Sequence, residues 1–338
     1  MATEEVTLPR YIEYGGRATA PGAFQCTGGR FRGFGLKGDH EAIKRLVDLY
    51  LNEPARGDVA FRAPTGVILL QIGWFAAVRA TTKPFDEWGT VREVMATFWI
   101  PLVQGIERHG IFIPERFVMA CPFIWVDNPM SYAGGRETYG YPKSLGKFKF
   151  TKEHEADTLD GTMSVETFGG QFDKDAVADW RPVIEITPPE DGSLTPPKEV
   201  NGTRDFIDHI TEGKLNPRGE SMLPDEYRVP PEEREKALNG DSHQIFLKQF
   251  RDAHDPGGAC YQAIVHAPIN LASSKTSFDN VTDGPWSVKV HTLQSHPVLG
   301  EIGVGNQDAF VSYSQEMDFT CERGEVIAPR SEVRRTLD

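Results

Sequence analysis

A β-rich α+β fold of mostly antiparallel sheets with a few helices is what this sequence predicts, and three observations predict it. Short runs dense in β-branched and aromatic residues recur along the chain, and helical periodicity is clear in one stretch only. Helices also fail to alternate with strands, as a doubly wound parallel sheet would require. At 338 residues, with 39% hydrophobic and 25% charged residues, the chain is long enough to bury a core without disulfide or metal staples. One domain spanning 1–338 is expected.

The elements follow in order. Asp39 is an N-cap residue, and Ile43, Leu46, Val47, Tyr50 and Leu51 fall on one face of a helix over 39–53. Pro54 should end it, lacking the next helical N–H. The predicted strands are Val67 to Phe75, Met95 to Val103, Phe117 to Val126, Gln262 to Leu271, Trp286 to Leu293 and Ala309 to Phe319. Residues 147–151 alternate polar and apolar, as a half-buried strand does. The stretch 187–240 differs: it holds eight of the 24 prolines, is highly charged, and reads as an insertion with one short helix at Glu232 to Leu238.

Composition excludes several function classes. A net charge of −13 without any Lys/Arg-dense run argues against nucleic acid as a partner. No apolar run reaches the roughly 18 to 20 residues that span a bilayer, so no membrane partner is expected. Met1 to Arg10 carries Glu4 and Glu5 and no apolar segment, so no secretory leader is expected either. Cys26, Cys121, Cys260 and Cys321 are far apart and read as buried, reduced thiols of a cytoplasmic protein, not as zinc ligands. The histidines, His291 and His296 among them, show no metal-binding spacing and read as structural, so neither metal nor other cofactor is expected. The glycine-rich run Thr27 to Gly35 matches neither a P-loop nor a dinucleotide fingerprint.

One segment carries chemistry. From Trp125 to Gly146 the chain reads as a long connection between two strands, with Gly134, Gly135, Gly140 and Gly146 permitting turns and Pro142 fixing the backbone before Lys143. A lysine presented this way, flanked by Tyr139, Tyr141 and Leu145, suits an apolar pocket. A lysine amine is a nucleophile only when neutral, which at a reference pKa of about 10.4 holds for roughly one in 2,500 at pH 7. Desolvation or a neighbouring cation raises that fraction. The neutral amine can then add to a ketone and lose water, leaving an iminium that acts as an electron sink.

Asp127-Asn128, Ala133-Gly134-Gly135-Arg136-Glu137, Tyr141-Pro142-Lys143 and Leu145-Gly146 together resemble the signature of the acetoacetate decarboxylase family. Ile327 to Val333 resembles that family's C-terminal segment, and the helix at 39–53 sits where the family has one. The resemblance implies sheets curved around an enclosed apolar pocket, a homo-oligomer, and Lys143 as the Schiff-base lysine with Glu93 as a second catalytic residue. It implies a substrate-binding role for Arg30, with Arg32 the alternative one shift away, and for Gln71, Arg136, Tyr141 and Ser144. Two departures stand out. Ser144 replaces the family's second lysine, removing one cation that would favour a neutral amine, and Gln71 stands at the second pocket glutamate, changing the charge a substrate meets. The expected activity is that of a lyase acting on a small-molecule oxo acid, by decarboxylation or a related aldol or dehydration step. The alternative is a non-catalytic small-molecule-binding protein on the same fold.

Overall fold

The computed structural model describes residues 11–12, 19–151, 159, 161–189, 227–238, 242–270, 277–282 and 286–329. Most of the 187–240 insertion and the end of the 327–333 segment lie outside them. The strands are β1 Phe24–Lys37, β2 Ala60–Arg62, β3 Val67–Ala80, β4 Val91–Arg108, β5 Ile111–Val126, β6 Lys143–Phe150, β7 Met163–Gly169 and β8 Asp179–Thr187. They continue with β9 Ser242–Arg251, β10 Ala259–Asn270, β11 Ser277–Thr282, β12 Ser287–Val290, β13 Gln307–Asp308, β14 Val311–Cys321 and β15 Glu325–Ala328. Among the helices are α1 His40–Val47, α2 Pro129–Thr138, α3 Pro231–Leu238 and α4 Val298–Ile302. No helix among the described residues is long and apolar enough to cross a membrane.

The hydrogen-bonded path runs β5-β9-β10-β14-β1-β3-β4, and β4 also pairs with β5. These seven strands therefore close into a barrel. The β4–β5 and β1–β3 ladders are long, whereas the β5–β9 and β10–β14 seams hold two residue pairs each. Pairing is antiparallel throughout except at β5–β6 and β5–β9. The free part of β5's edge takes β6, which leads out into a second sheet of β6, β7, β8, β12 and β13.

Alternation along the strands sorts the apolar residues into two clusters. Leu69, Trp99, Ile124, Val126, Phe246, Ala267, Val311 and Tyr313 fill the barrel interior. Phe34, Leu36, Ile68, Ile72, Phe98, Ile100 and Trp125 pack outside it, beneath α1 and the second sheet. The glycine-rich run is part of β1. A Cβ at Gly33 would lie 2.1 Å from the Tyr313 ring, so glycine there lets that ring lie across the strand.

Three expectations change. The helix from Asp39, which accepts from the Glu41 and Ala42 amides, does not stop at Pro54. It widens into a π turn over 48–52 and runs through Pro54 to Ala55, because the wider turn tolerates the missing proline N–H. Residues 129–138 are helix rather than open connection. Cys260 is exposed at the end of β10, while the other three thiols are buried.

Candidate active site

Two clamps bring the site together. Asn128 caps α2, its Oδ1 accepting from the Met130 and Ser131 amides at 2.9 and 3.2 Å, and Pro129 occupies the first turn, where no N–H is needed. The same Asn128 donates to the Arg92 carbonyl at 2.9 Å, and Asp127 Oδ1 accepts from Val94 N at 2.8 Å. The Asp-Asn pair thus grips β4 on both sides of Glu93. Beyond α2, the amides of Tyr139, Gly140 and Tyr141 all turn back to the Gly135 carbonyl. Arg136 donates to the Lys143 carbonyl at 3.0 Å, pinning the first residue of β6, and its guanidinium lies over the Tyr132 ring.

Lys143 is buried within this frame. Its Nζ lies 3.4 Å from Glu93 Oε1 and 5.2 Å from the centre of the Tyr141 ring, and it donates to Ser131 Oγ. Ser131 and Gly135 are four residues apart and share one face of α2. The glycine leaves room for the lysine stem, since a Cβ there would lie 2.9 Å from Cδ and Cε, and the serine meets the amine. Burial pushes the surrounding phenols and thiols up: Tyr141 and Cys26 rise well above their usual ranges, and Cys321 is pushed up to about 11. Lys143 and Glu93 then face each other among phenols and thiols that stay neutral. Tyr141 donates to Gln244 on β9 and packs on Phe246, which fixes its ring beside the amine.

The structure brings together Lys143, Glu93 and Tyr141 and places Gln71 on the same interior wall. Gln71 donates to Tyr313 Oη at 3.2 Å and Gln315 Oε1 at 2.9 Å. Arg136 acts on the backbone of Lys143. Arg30 and Ser144 are not brought to the amine. Arg30 is half-buried and pairs with Glu316 at 3.4 Å. Its alternative, Arg32, is buried on the outer face of the wall, donating to Ser314 and Ser312 and lying over Trp286. A register shift between Cys26 and Gly29 changes which β1 residues face inward. Ser144 follows Lys143 along β6 and points to the opposite face, where its Oγ is 3.0 Å from His296 Nε2. Ser131 escaped the sequence reading; its signal was the Asn128-Pro129 helix start, which sets Ser131 and Gly135 on one face.

Residues 39–169 match the family described as Acetoacetate decarboxylase (ADC). No curated protein matches the chain in sequence. Among solved structures, the fold is similar to that of acetoacetate decarboxylase from Legionella pneumophila subsp. pneumophila str. Philadelphia 1. That match has 13% identity and a TM-score of 0.55, covering 97% of this chain and 94% of that one. It is similar to that of the enduracididine biosynthesis enzyme MppR complexed with the condensation product of pyruvate and imidazole 4-carboxaldehyde (12% identity, TM-score 0.53, covering 93% and 92%). It is also similar to that of an acetoacetate decarboxylase-like enzyme from Sphingomonas wittichii RW1 (12% identity, TM-score 0.52, covering 91% and 95%).

Proposed function

We propose that this chain, a divergent member of the acetoacetate decarboxylase family, is a lyase in which Lys143 forms a Schiff base with an oxo acid. The observation that carries the reading is a buried amine facing one carboxylate and one hydroxyl, among apolar side chains and neutral phenols. Neutral Lys143 adds to the keto carbon, its surplus proton passing to Glu93, the carboxylate at 3.4 Å. Glu93 hands that proton to the departing hydroxyl, so the carbinolamine loses water and becomes an iminium. Electrons from the breaking carbon–carbon bond then flow into the C=N⁺ unit, giving an enamine, and Glu93 relays a proton from water to the carbon before water hydrolyses the iminium and frees the lysine. The iminium is itself the electron sink, so this route asks for no added cofactor.

Ser131 has a distinct part in this scheme. An iminium keeps a single N–H, and the Ser131 hydroxyl, already at Nζ, accepts it. Glu93 is thereby released for proton transfer. Decarboxylation, aldol chemistry and dehydration share this enamine. The condensation product bound by MppR supports including the aldol branch.

Reductive trapping tests the reading. The protein is incubated with acetoacetate, pyruvate and longer oxo acids plus cyanoborohydride, followed by intact mass and peptide mapping. The expected result is one adduct, on Lys143, absent in Lys143→Ala, with a mass that reports loss of carbon dioxide or water. No adduct from any acid would overturn the catalytic reading and leave a binding protein on this fold.

A further inference from the structure

Among the described residues the barrel interior is polar in two places, and Lys143 explains only one of them. Successive ladder registers place Tyr313, Gly33, Gln71, Thr97, Ile124 and Lys143 in one transverse row, all on the interior face. At the end remote from Lys143, Tyr313 reaches across Gly33 to Gln71, and Gln71 spends both amide hydrogens on Tyr313 and Gln315. Beside Gln71, the Thr97 hydroxyl is completely buried and meets no hydrogen-bond partner among the described residues. A buried hydroxyl left unpaired costs on the order of 1–3 kcal/mol, so its retention in an apolar wall calls for a reason.

Charge narrows that reason. Gln71, Gln315 and Thr97 cannot ionise, and burial pushes the Tyr313 phenol up, so the strip is uncharged. A neutral strip repays a neutral hydrogen-bonding group. A ligand carboxylate or ammonium there would lose its water without gaining a counter-charge. Gln71, only half-buried and with its Oε1 unused by those two bonds, is the member a ligand meets first.

We propose that the Gln71–Gln315–Tyr313–Thr97 strip is a second subsite, which binds a neutral amide or hydroxyl at the far end of the substrate. This rests on the iminium reading above and adds the substrate class: an oxo acid with an uncharged polar tail. Three ladder steps of about 4.8 Å separate Gln71 from Lys143 along the wall, about 14 Å in all. A three-carbon acid such as pyruvate reaches the lysine without touching the strip.

The test uses 2-oxo acids of one chain length ending in a methyl, a primary amide, a carboxylate or a trimethylammonium group, with pyruvate as the tail-less control. Half-saturation of trapping on Lys143 is measured for each, and thermal shift without reductant gives the same ranking independently of chemistry. The amide tail is expected to bind about tenfold more tightly than the methyl tail and above both charged tails. That ratio should fall to threefold or less in Gln71→Leu. Gln71→Glu, which keeps the side-chain volume, should move the preference to the trimethylammonium tail. Equal ranking of amide and methyl, or preference for a charged tail in the unaltered protein, overturns the subsite. Failure to trap even pyruvate overturns the lysine chemistry instead, while the thermal-shift ranking still decides the subsite.

Discussion

At the scale of single residues the site depends on where space is left as much as on what fills it. Gly135 is the clearest case, because the stem of Lys143 lies where a Cβ would go. Gly135→Ala must push Cδ and Cε aside by several tenths of an ångström, which moves Nζ relative to Ser131 and Glu93. Overpacking of this kind costs about 1–3 kcal/mol. We expect a folded protein with a modest drop in melting temperature and at least a tenfold slower trapping of pyruvate; unchanged trapping would mean that the amine's position does not matter. The sequence singled out Lys143 by a rigid Tyr-Pro-Lys turn within a resembling motif, and Glu93 by its place before a strand in the same resemblance; the structure sets the two 3.4 Å apart. Arg30 rested on the resemblance alone, and in the structure it turns away from the amine to pair with Glu316. Ser144 is not brought to the amine for a simpler reason: adjacent residues of a strand face opposite ways, so the neighbour of a pocket lysine lies outside the pocket.

At the scale of elements, α2 decides the site, and it was overlooked for a physical reason. Two adjacent glycines lower intrinsic helix propensity by roughly 1 kcal/mol each, so the 125–146 segment reads as loop. The Asn cap, the proline at the first turn and the packing of Gly135 against Lys143 outweigh that deficit here. Asn128 bears on two elements at once, capping α2 and tying β4 through the Arg92 carbonyl. Asn128→Ala removes both, and the lost cap alone is worth about 1 kcal/mol. Asn128→Ser restores a cap acceptor but not the tie to β4. Urea unfolding should therefore rank the three proteins Asn, Ser, Ala in falling stability, and trapping should stay slow in the serine variant, because Glu93 has lost one of its two grips. If the serine variant recovered full trapping rate, the tie to β4 would be irrelevant to Glu93.

At the scale of the whole molecule, the strands were readable one by one but their closure was not. Nothing local in the sequence announces that β4 pairs with β5 while β10 meets β14 through only two residue pairs. Closure is set by contacts between segments far apart in sequence, and the β9–β10 ladder that links two of the short seams carries a histidine pair, His266 buried and His243 half-buried. His243 on β9 and His266 on β10 share a 3.0 Å hydrogen bond that needs one nitrogen to be an acceptor, so the two cannot both be protonated while it lasts. Burial first, then the charges of His243 and Arg116, push His266 down to about 4, and Glu233 of α3 lies near enough to feel both Arg116 and His243. Glu325 of β15 stands opposite His266 in the ladder. The folded protein keeps His266 neutral where the unfolded chain, with an ordinary value near 6.5, protonates it. Between about pH 6.5 and pH 4 the unfolded state thus binds more protons, so stability rises with pH across that window and is lost as pH falls. The loss attributable to His266 is on the order of 3 kcal/mol. His266→Gln, which cannot be protonated, should be less stable than the parent at pH 7.5 yet show a visibly shallower decline in urea-unfolding free energy between pH 6.5 and 4.5. Parallel declines for the two proteins would place the acid sensitivity elsewhere in the fold.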